Sequence, residues 1–241
     1  MKHDKTIVVI PTYNNPLTIK EVALDVVSHG YELIIADDGS DRPVEELFLP
    51  EEKKGIHFLR HDTNRGKGQA ILTGVEKAKT LGFSYAVSMD GDGQHLASQI
   101  GRLVEDYGED EIVIGARNFD IENIPAGSKF GRWFSNFWAC WDTGYTITDS
   151  LSGFRVYPVS ILDLPVKTRR FDWEMEVLVR HADAGKKIRE VQVDCHYPLQ
   201  EERVSHFRNF EDTMTIVWVH IQILPFKWPG MLWRKIMPGK A

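Results

Sequence analysis

A chain of 241 residues, 42% hydrophobic and 27% charged, has the make-up of a globular protein with one large domain or two small ones. Its formal net charge of −6 lacks the basic excess of a nucleic-acid binder, so no nucleic acid partner is expected. Two cysteines without metal-type spacing, an N-terminal apolar run too short for a signal peptide and no run of roughly 18 apolar residues give the expectation of a cytoplasmic protein in a reducing compartment, with peripheral contact at the cytoplasmic membrane face left open.

Thr6 to Ile10 is a β-branched apolar run that ends at Pro11, the pattern of a buried strand. The loop Pro11-Thr12-Tyr13-Asn14-Asn15-Pro16 follows, then a helix through Ser28 with Val22, Ala23, Val26 and Val27 on one face. Glu32 to Ala36 reads as a second strand that stops at Asp37 and Asp38, and Ile56 to Leu59 as a weaker third. Asn64-Arg65-Gly66-Lys67-Gly68 lacks the spacing of a phosphate loop and is expected to be a flexible entry to a helix over Gln69 to Leu81. The apolar run Ala86 to Met89 then breaks off at Asp90-Gly91-Asp92-Gly93-Gln94-His95, and Glu111 to Gly115 ends at Ala116-Arg117.

Strands alternating with helices through short connections predict an α/β fold with a mostly parallel sheet. Such a sheet gathers the carboxyl ends of its strands on one edge, where ligands bind. Tyr13, Asn15, Asp37, Asp38, Asp90, Asp92 and Arg117 all fall just past a predicted strand, so they are expected to converge on one cleft. Asp90 and Asp92 lie at i and i+2, on the same side of extended chain, where they repel each other or share a hard cation such as Mg²⁺ or Mn²⁺. A plain Asp-Gly turn is the competing reading. The dinucleotide fingerprint G-x-G-x-x-G is absent after the first strand.

In the second half, Phe130, Trp133, Phe134, Phe137, Trp138 and Trp141 recur at helical spacing, either as core or as an aromatic face near a membrane interface. Phe171 to Glu176 opens a helix through His181, and Val191 to Cys195 alternates as an edge strand. The tail from Thr213 to Phe226 is apolar but interrupted by His220 and Gln222. With Trp218, Trp228 and Trp233 it suits an interface, packing on its own domain, or a second subunit.

Five segments occur in order: Val9 to Asn15, Ala36 to Asp41, Asn64 to Ala70, Asp90 to His95, and Ser152-Gly153-Phe154-Arg155-Val156-Tyr157. Together they resemble the family 2 glycosyltransferases, and among them the dolichyl-phosphate mannose synthase-like branch, over roughly residues 6 to 212. The resemblance implies a GT-A fold with one catalytic domain over 1–241: a nucleotide-sugar part at 1–118, an acceptor-side part at 119–212 and an apolar, aromatic tail at 213–241. It implies metal-dependent transfer, with inversion, of a sugar from a UDP- or GDP-sugar donor to a lipid-phosphate, lipid-linked or glycan acceptor.

By the same resemblance, Pro11, Tyr13 and Asn15 surround the nucleoside, and Asp38, with Asp37 beside it, reads the base edge. Asp90 and Asp92 are the D-x-D metal motif around Gly91, Gln94 lines the same site, Arg117 lies near the sugar or diphosphate, and Arg203 belongs to a mobile loop closing over donor phosphates, with Arg208 as the alternative. Glu174, or Asp172 behind it, is the general base if the acceptor is a hydroxyl; a lipid phosphate needs none. Arg155 is expected to hold a loop. The competing functions are a nucleotidyltransferase on a related fold and a non-catalytic nucleotide-sugar binder.

Overall fold

The structure, a computed structural model, describes residues 5–117 and 126–195. Its centre is a seven-stranded sheet made of β1 (Thr6–Thr12), β2 (Leu33–Asp37), β3 (Ile56–Arg60), β4 (Tyr85–Ser88), β5 (Ile112–Arg117), β6 (Arg155–Pro158) and β7 (Ile188–Val193). The spatial order is β3-β2-β1-β4-β6-β5-β7. All neighbours pair in parallel except β6, which runs antiparallel to both β4 and β5.

The helices are α1 (Ile19–Ser28), α2 (Lys67–Thr80), α3 (Ile100–Val104), α4 (Ala126–Thr143) and α5 (Trp173–Asp183). They cover both faces of the sheet, which is why its strands read as unbroken apolar runs. Successive side chains of β1 go to opposite sides, as a strand's twofold repeat requires. Val8 and Ile10 join α1 and α3 residues such as Val22, Val26 and Leu103, whereas Ile7 and Val9 join Ile71 and Val75 of α2 and Leu178 of α5.

Two features place the functional edge. The chain winds outward from β1 through β2 to β3, then returns to the other side of β1 as β4. This is the switch point at which a crevice opens beyond the carboxyl ends of an α/β sheet. Because β6 is reversed, its start rather than its end lies at that same edge, with Arg155 opposite Ser88. Arg155–Pro158 is a strand that the hydrophobic pattern does not mark, since four residues with a charged first member carry no distinct periodicity. The predicted edge strand begins earlier than expected, at Ile188, and pairs in parallel with β5.

Among the described residues no helix is long and apolar enough to cross a membrane. Arg203, Arg208 and the Thr213–Phe226 tail lie outside the described residues.

Candidate active site

At the switch point the loops after β1 and β4 are joined. Asn15 is buried, and its Nδ2 donates to the carbonyl of Gly91 at 2.8 Å; Thr18 Oγ1 donates to the same carbonyl at 2.6 Å. These bonds fix the Asp90-Gly91-Asp92 turn against the first loop. Pro11 still lies within β1, and Tyr13 follows half-buried in that loop. Asp92 is partly exposed, and its Oδ1 accepts the backbone N–H of Gln94 at 3.0 Å.

The two carboxylates after β2 face inward. Asp37 accepts the N–H groups of Ser40 (2.9 Å) and Val44 (3.2 Å) and a bond from Arg60 Nη1 at 2.6 Å. Asp38 accepts the N–H groups of Arg65 (2.9 Å) and Gly66 (2.7 Å), and its Oδ1 lies 2.7 Å from His61 Nδ1. A carboxylate has about four acceptor positions. Asp38 therefore spends most of its capacity on the 61–66 loop, which delivers the start of α2 to the crevice.

That start carries a residue the sequence reading passed over. Lys67 is the first residue of α2, and its Nζ lies 2.7 Å from Asp90 Oδ1 and 3.2 Å from Glu174 Oε2. The 64–68 segment is thus a fixed part of the site rather than a flexible helix entry. Gly66 has φ 103°, a left-handed value that glycine adopts without strain, and Gln69 N donates to Arg169 O at 2.9 Å. A Cβ on Gly68 would stand 2.3 Å from Trp173 Cβ, so only glycine lets α2 approach α5 here. The visible signal was a lysine between two glycines; its partners lie 23 and 107 positions further along the chain.

Gly153 closes the site from above. A Cβ there would come within 2.6 Å of Asp90 Oδ2 and 2.8 Å of Lys67 Nζ. Arg155, fully buried, donates to the carbonyls of Ser150, Ser152 and Glu174 and to Tyr157 Oη, and so shapes the turn that carries Gly153. Arg117 ends β5 and is gripped by the fully buried Asp149, Nε to Oδ2 at 2.7 Å and Nη2 to Oδ1 at 2.9 Å. This two-point contact fixes the plane of the guanidinium. His95 is buried and stacked on Phe154 at 4.9 Å, and its Nδ1 has no hydrogen-bond partner among the described residues.

The electrostatics follow from this crowding. Burial pushes the Asp92 carboxyl up to about 6, and the neighbouring Asp90 charge adds to the push. Burial raises Asp90 as well, yet the charges around it, the Lys67 ammonium foremost, together outweigh burial and hold it below the usual carboxylate range. Burial works against the charged form of Lys67, but Asp90 and Glu174 more than offset it and raise its pKa, so the ammonium stays charged. Burial pushes His95 down to about 4, leaving a neutral ring. One oxygen of Glu174, Oε1, is buried without a partner among the described residues.

Four carboxylates, Asp90, Asp92, Asp149 and Glu174, share this neighbourhood with three cations, Lys67, Arg117 and Arg155. The one negative charge left over and the hard oxygen donors of Asp90 and Asp92 fit a single Mg²⁺ or Mn²⁺ whose remaining charge a diphosphate would balance. Among the described residues no group of three or more His, Cys, Asp or Glu side chains can hold a metal unaided. Magnesium is commonly bound through one or two carboxylates, with substrate phosphates and water completing its shell.

The family model for glycosyl transferase family 2 matches residues 7–158, from β1 to the end of β6. A UDP-N-acetylglucosamine–dolichyl-phosphate N-acetylglucosaminyltransferase of Methanococcus voltae is 31% identical over 218 residues, 80% of this chain and 87% of its own length. An undecaprenyl-phosphate mannosyltransferase of Micrococcus luteus is 28% identical over 201 residues, covering 78% of this chain and 82% of the relative. In three dimensions the chain is similar to glucosyl-3-phosphoglycerate synthase of Mycobacterium tuberculosis, with a TM-score of 0.67 at 17% identity over 90% of this chain and 78% of that one. That likeness establishes the GT-A architecture expected from the motifs. With strand-end residues meeting at the switch point and a family match running through all of them, the chain belongs to glycosyl transferase family 2 and is a glycosyltransferase.

Proposed function

We propose that this glycosyltransferase moves a sugar from a UDP- or GDP-sugar to a polyprenyl-phosphate acceptor, with inversion and with Mg²⁺ or Mn²⁺ held by Asp90 and Asp92. The observation that carries the reading is the Asp90–Asp92 pair at the end of β4, tied by Asn15 to the loop after β1 and left with an excess of negative charge beside Lys67 and Arg117. The M. voltae and M. luteus relatives bear the names of lipid-phosphate glycosyltransferases, and the M. tuberculosis neighbour was crystallised with Mn²⁺ and UDP.

In this mechanism Pro11, Tyr13 and Asn15 line the nucleoside end, and Asp38 contributes its remaining acceptor position to the base edge. A divalent ion, when bound, supplies positive charge to the departing diphosphate. Arg117 presents its fork to the sugar or diphosphate, its plane already set by Asp149, so little order is lost on binding. Gln94 borders the same pocket.

An oxygen of the acceptor phosphate attacks the anomeric carbon on the face opposite the leaving diphosphate. One C–O bond forms as the other breaks, which inverts the configuration. Because that oxygen is already anionic, no proton has to be removed; Glu174 then orients the acceptor instead of acting as a base. The exposed aromatic face of α4, Trp133, Phe137 and Trp141, rests on the bilayer that presents the lipid, at the cytoplasmic surface.

The test is a transfer assay with UDP- and GDP-sugars, dolichyl or undecaprenyl phosphate, and Mn²⁺. A glycosylated lipid phosphate is the expected product; EDTA should abolish its formation and Asp92→Asn should slow it at least about 100-fold, the scale on which loss of a charge-stabilising group acts. Wild-type activity in D92N would overturn the site assignment, and no lipid product from any donor would overturn the acceptor.

A further inference from the structure

We propose that Lys67 is the resident counter-ion of Asp90: its ammonium occupies the metal-facing carboxylate until a divalent ion arrives together with a nucleotide. This deepens the proposed function, and rests on Asp90 and Asp92 sharing a metal with the donor diphosphate. The consequence is that the metal binds weakly alone and tightly with the nucleotide.

The geometry leaves the ammonium few places to go. Its helix start is pinned by the Gly66 N–H on Asp38 and by Gln69 N on the Arg169 carbonyl. Nζ sits between Asp90 Oδ1 at 2.7 Å and Glu174 Oε2 at 3.2 Å, with the Phe171 ring 5.7 Å away. Gly153 roofs the pair so closely that a single added methyl would meet both Nζ and Asp90 Oδ2. A divalent ion on Asp90 would therefore displace the ammonium or stand against it in a desolvated pocket, where like charges repel far more strongly than in water.

A diphosphate removes that conflict. It offers the displaced ammonium new anionic oxygens while filling the metal's open positions, so each ligand lowers the cost of binding the other. Linkage makes the coupling reciprocal. Removing the ammonium should weaken this coupling from both sides: the bare metal gains affinity, and the gain each ligand draws from the other shrinks.

The experiment titrates Mn²⁺ by the EPR signal of the free ion, with and without saturating UDP or GDP, in wild type, Lys67→Met, Lys67→Arg and the double variant K67M/E174Q. Wild type should bind Mn²⁺ far more tightly with one nucleotide than without. K67M should bind Mn²⁺ alone about tenfold more tightly than wild type, the factor that corresponds to about 1.4 kcal/mol. Its gain from nucleotide should fall by a similar factor, and K67R should behave as wild type. Should K67M fail to fold with Glu174 left unpaired, the double variant removes that carboxylate and should show the same tightening. Metal affinity unchanged or weakened in the folded variants would overturn the counter-ion role while leaving the donor reading intact. Failure of wild type to bind Mn²⁺ with either nucleotide would overturn the donor reading, and this role with it.

Discussion

Gly153 shows how one missing carbon shapes the site. A Cβ there would lie 2.6 Å from Asp90 Oδ2 and 2.8 Å from Lys67 Nζ, and the three nearest atoms it meets all belong to side chains. Gly153→Ala should therefore still fold, the backbone keeping its course. The shift falls instead on Asp90 and Lys67. Mn²⁺-dependent nucleotide binding should weaken at least about tenfold, since sub-ångström errors in a charge-binding constellation are costly. Nucleotide titration with Mn²⁺ beside a thermal melt checks both halves; a destabilised variant with intact binding would contradict the expectation. Asp90 and Asp92 stood out in the sequence because two carboxylates at i and i+2 just past a strand end admit a shared cation, with a plain turn as the alternative, and they do follow β4 in the structure. Lys67 did not: its meaning lies in Glu174, 107 residues on, and in a glycine that only the fold brings overhead.

The predicted strands and helices were found because hydrophobic period and chain punctuation are local, whereas their orientation is not. Nothing in Arg155-Val156-Tyr157-Pro158 announces a reversed strand, yet that reversal brings Gly153 to the carboxyl ends of β4 and β5. The aromatic helix posed a related problem, since spacing shows that α4 has two faces but not which is buried. The structure turns Ser135, Ala139 and Asp142 inward and leaves Trp133, Phe137 and Trp141 at 61%, 46% and 40% exposure. These three rings are consecutive, stacked at 6.0 and 6.2 Å. The inner face reaches the site: Ser135 and Asn136 bond to Ser150, next to the Asp149 that holds Arg117. In the proposed function the outer face is the membrane contact. Replacing Trp133, Phe137 and Trp141 together by Ser should cut co-sedimentation with vesicles containing polyprenyl phosphate by more than about tenfold, given roughly 25 cal/mol per Å² of apolar surface buried. Binding of Mn²⁺ and nucleotide should not change. Equal co-sedimentation would remove α4 from the membrane contact.

The sheet as a whole explains why so few residues suffice. Both of its faces are buried under helices, so the strand ends are held by two cores, and the loops between them need only short bonds such as Asn15 to Gly91 to be set. The β3-β2-β1-β4 order then puts the crevice between the ends of β1 and β4, a consequence of connectivity that alternating strands and helices leave open. The same arrangement links ligand binding to global stability, because the metal and diphosphate would bridge loops from several strands and bind only the folded chain. A ligand at 100 times its Kd adds about 2.7 kcal/mol to stability. For a chain of this size each kcal/mol moves Tm by about 2–4 °C, so saturating nucleotide with Mn²⁺ should raise Tm by roughly 5–10 °C. One of UDP and GDP should do this and the other much less, which would identify the donor base. The shift should largely vanish with EDTA and in Asp92→Asn, because the diphosphate then meets only Lys67 and Arg117, whose charges Asp90, Glu174 and Asp149 already neutralise. Equal shifts with and without metal would mean that Lys67 and Arg117 hold the diphosphate unaided, and that the Asp90–Asp92 pair does other work.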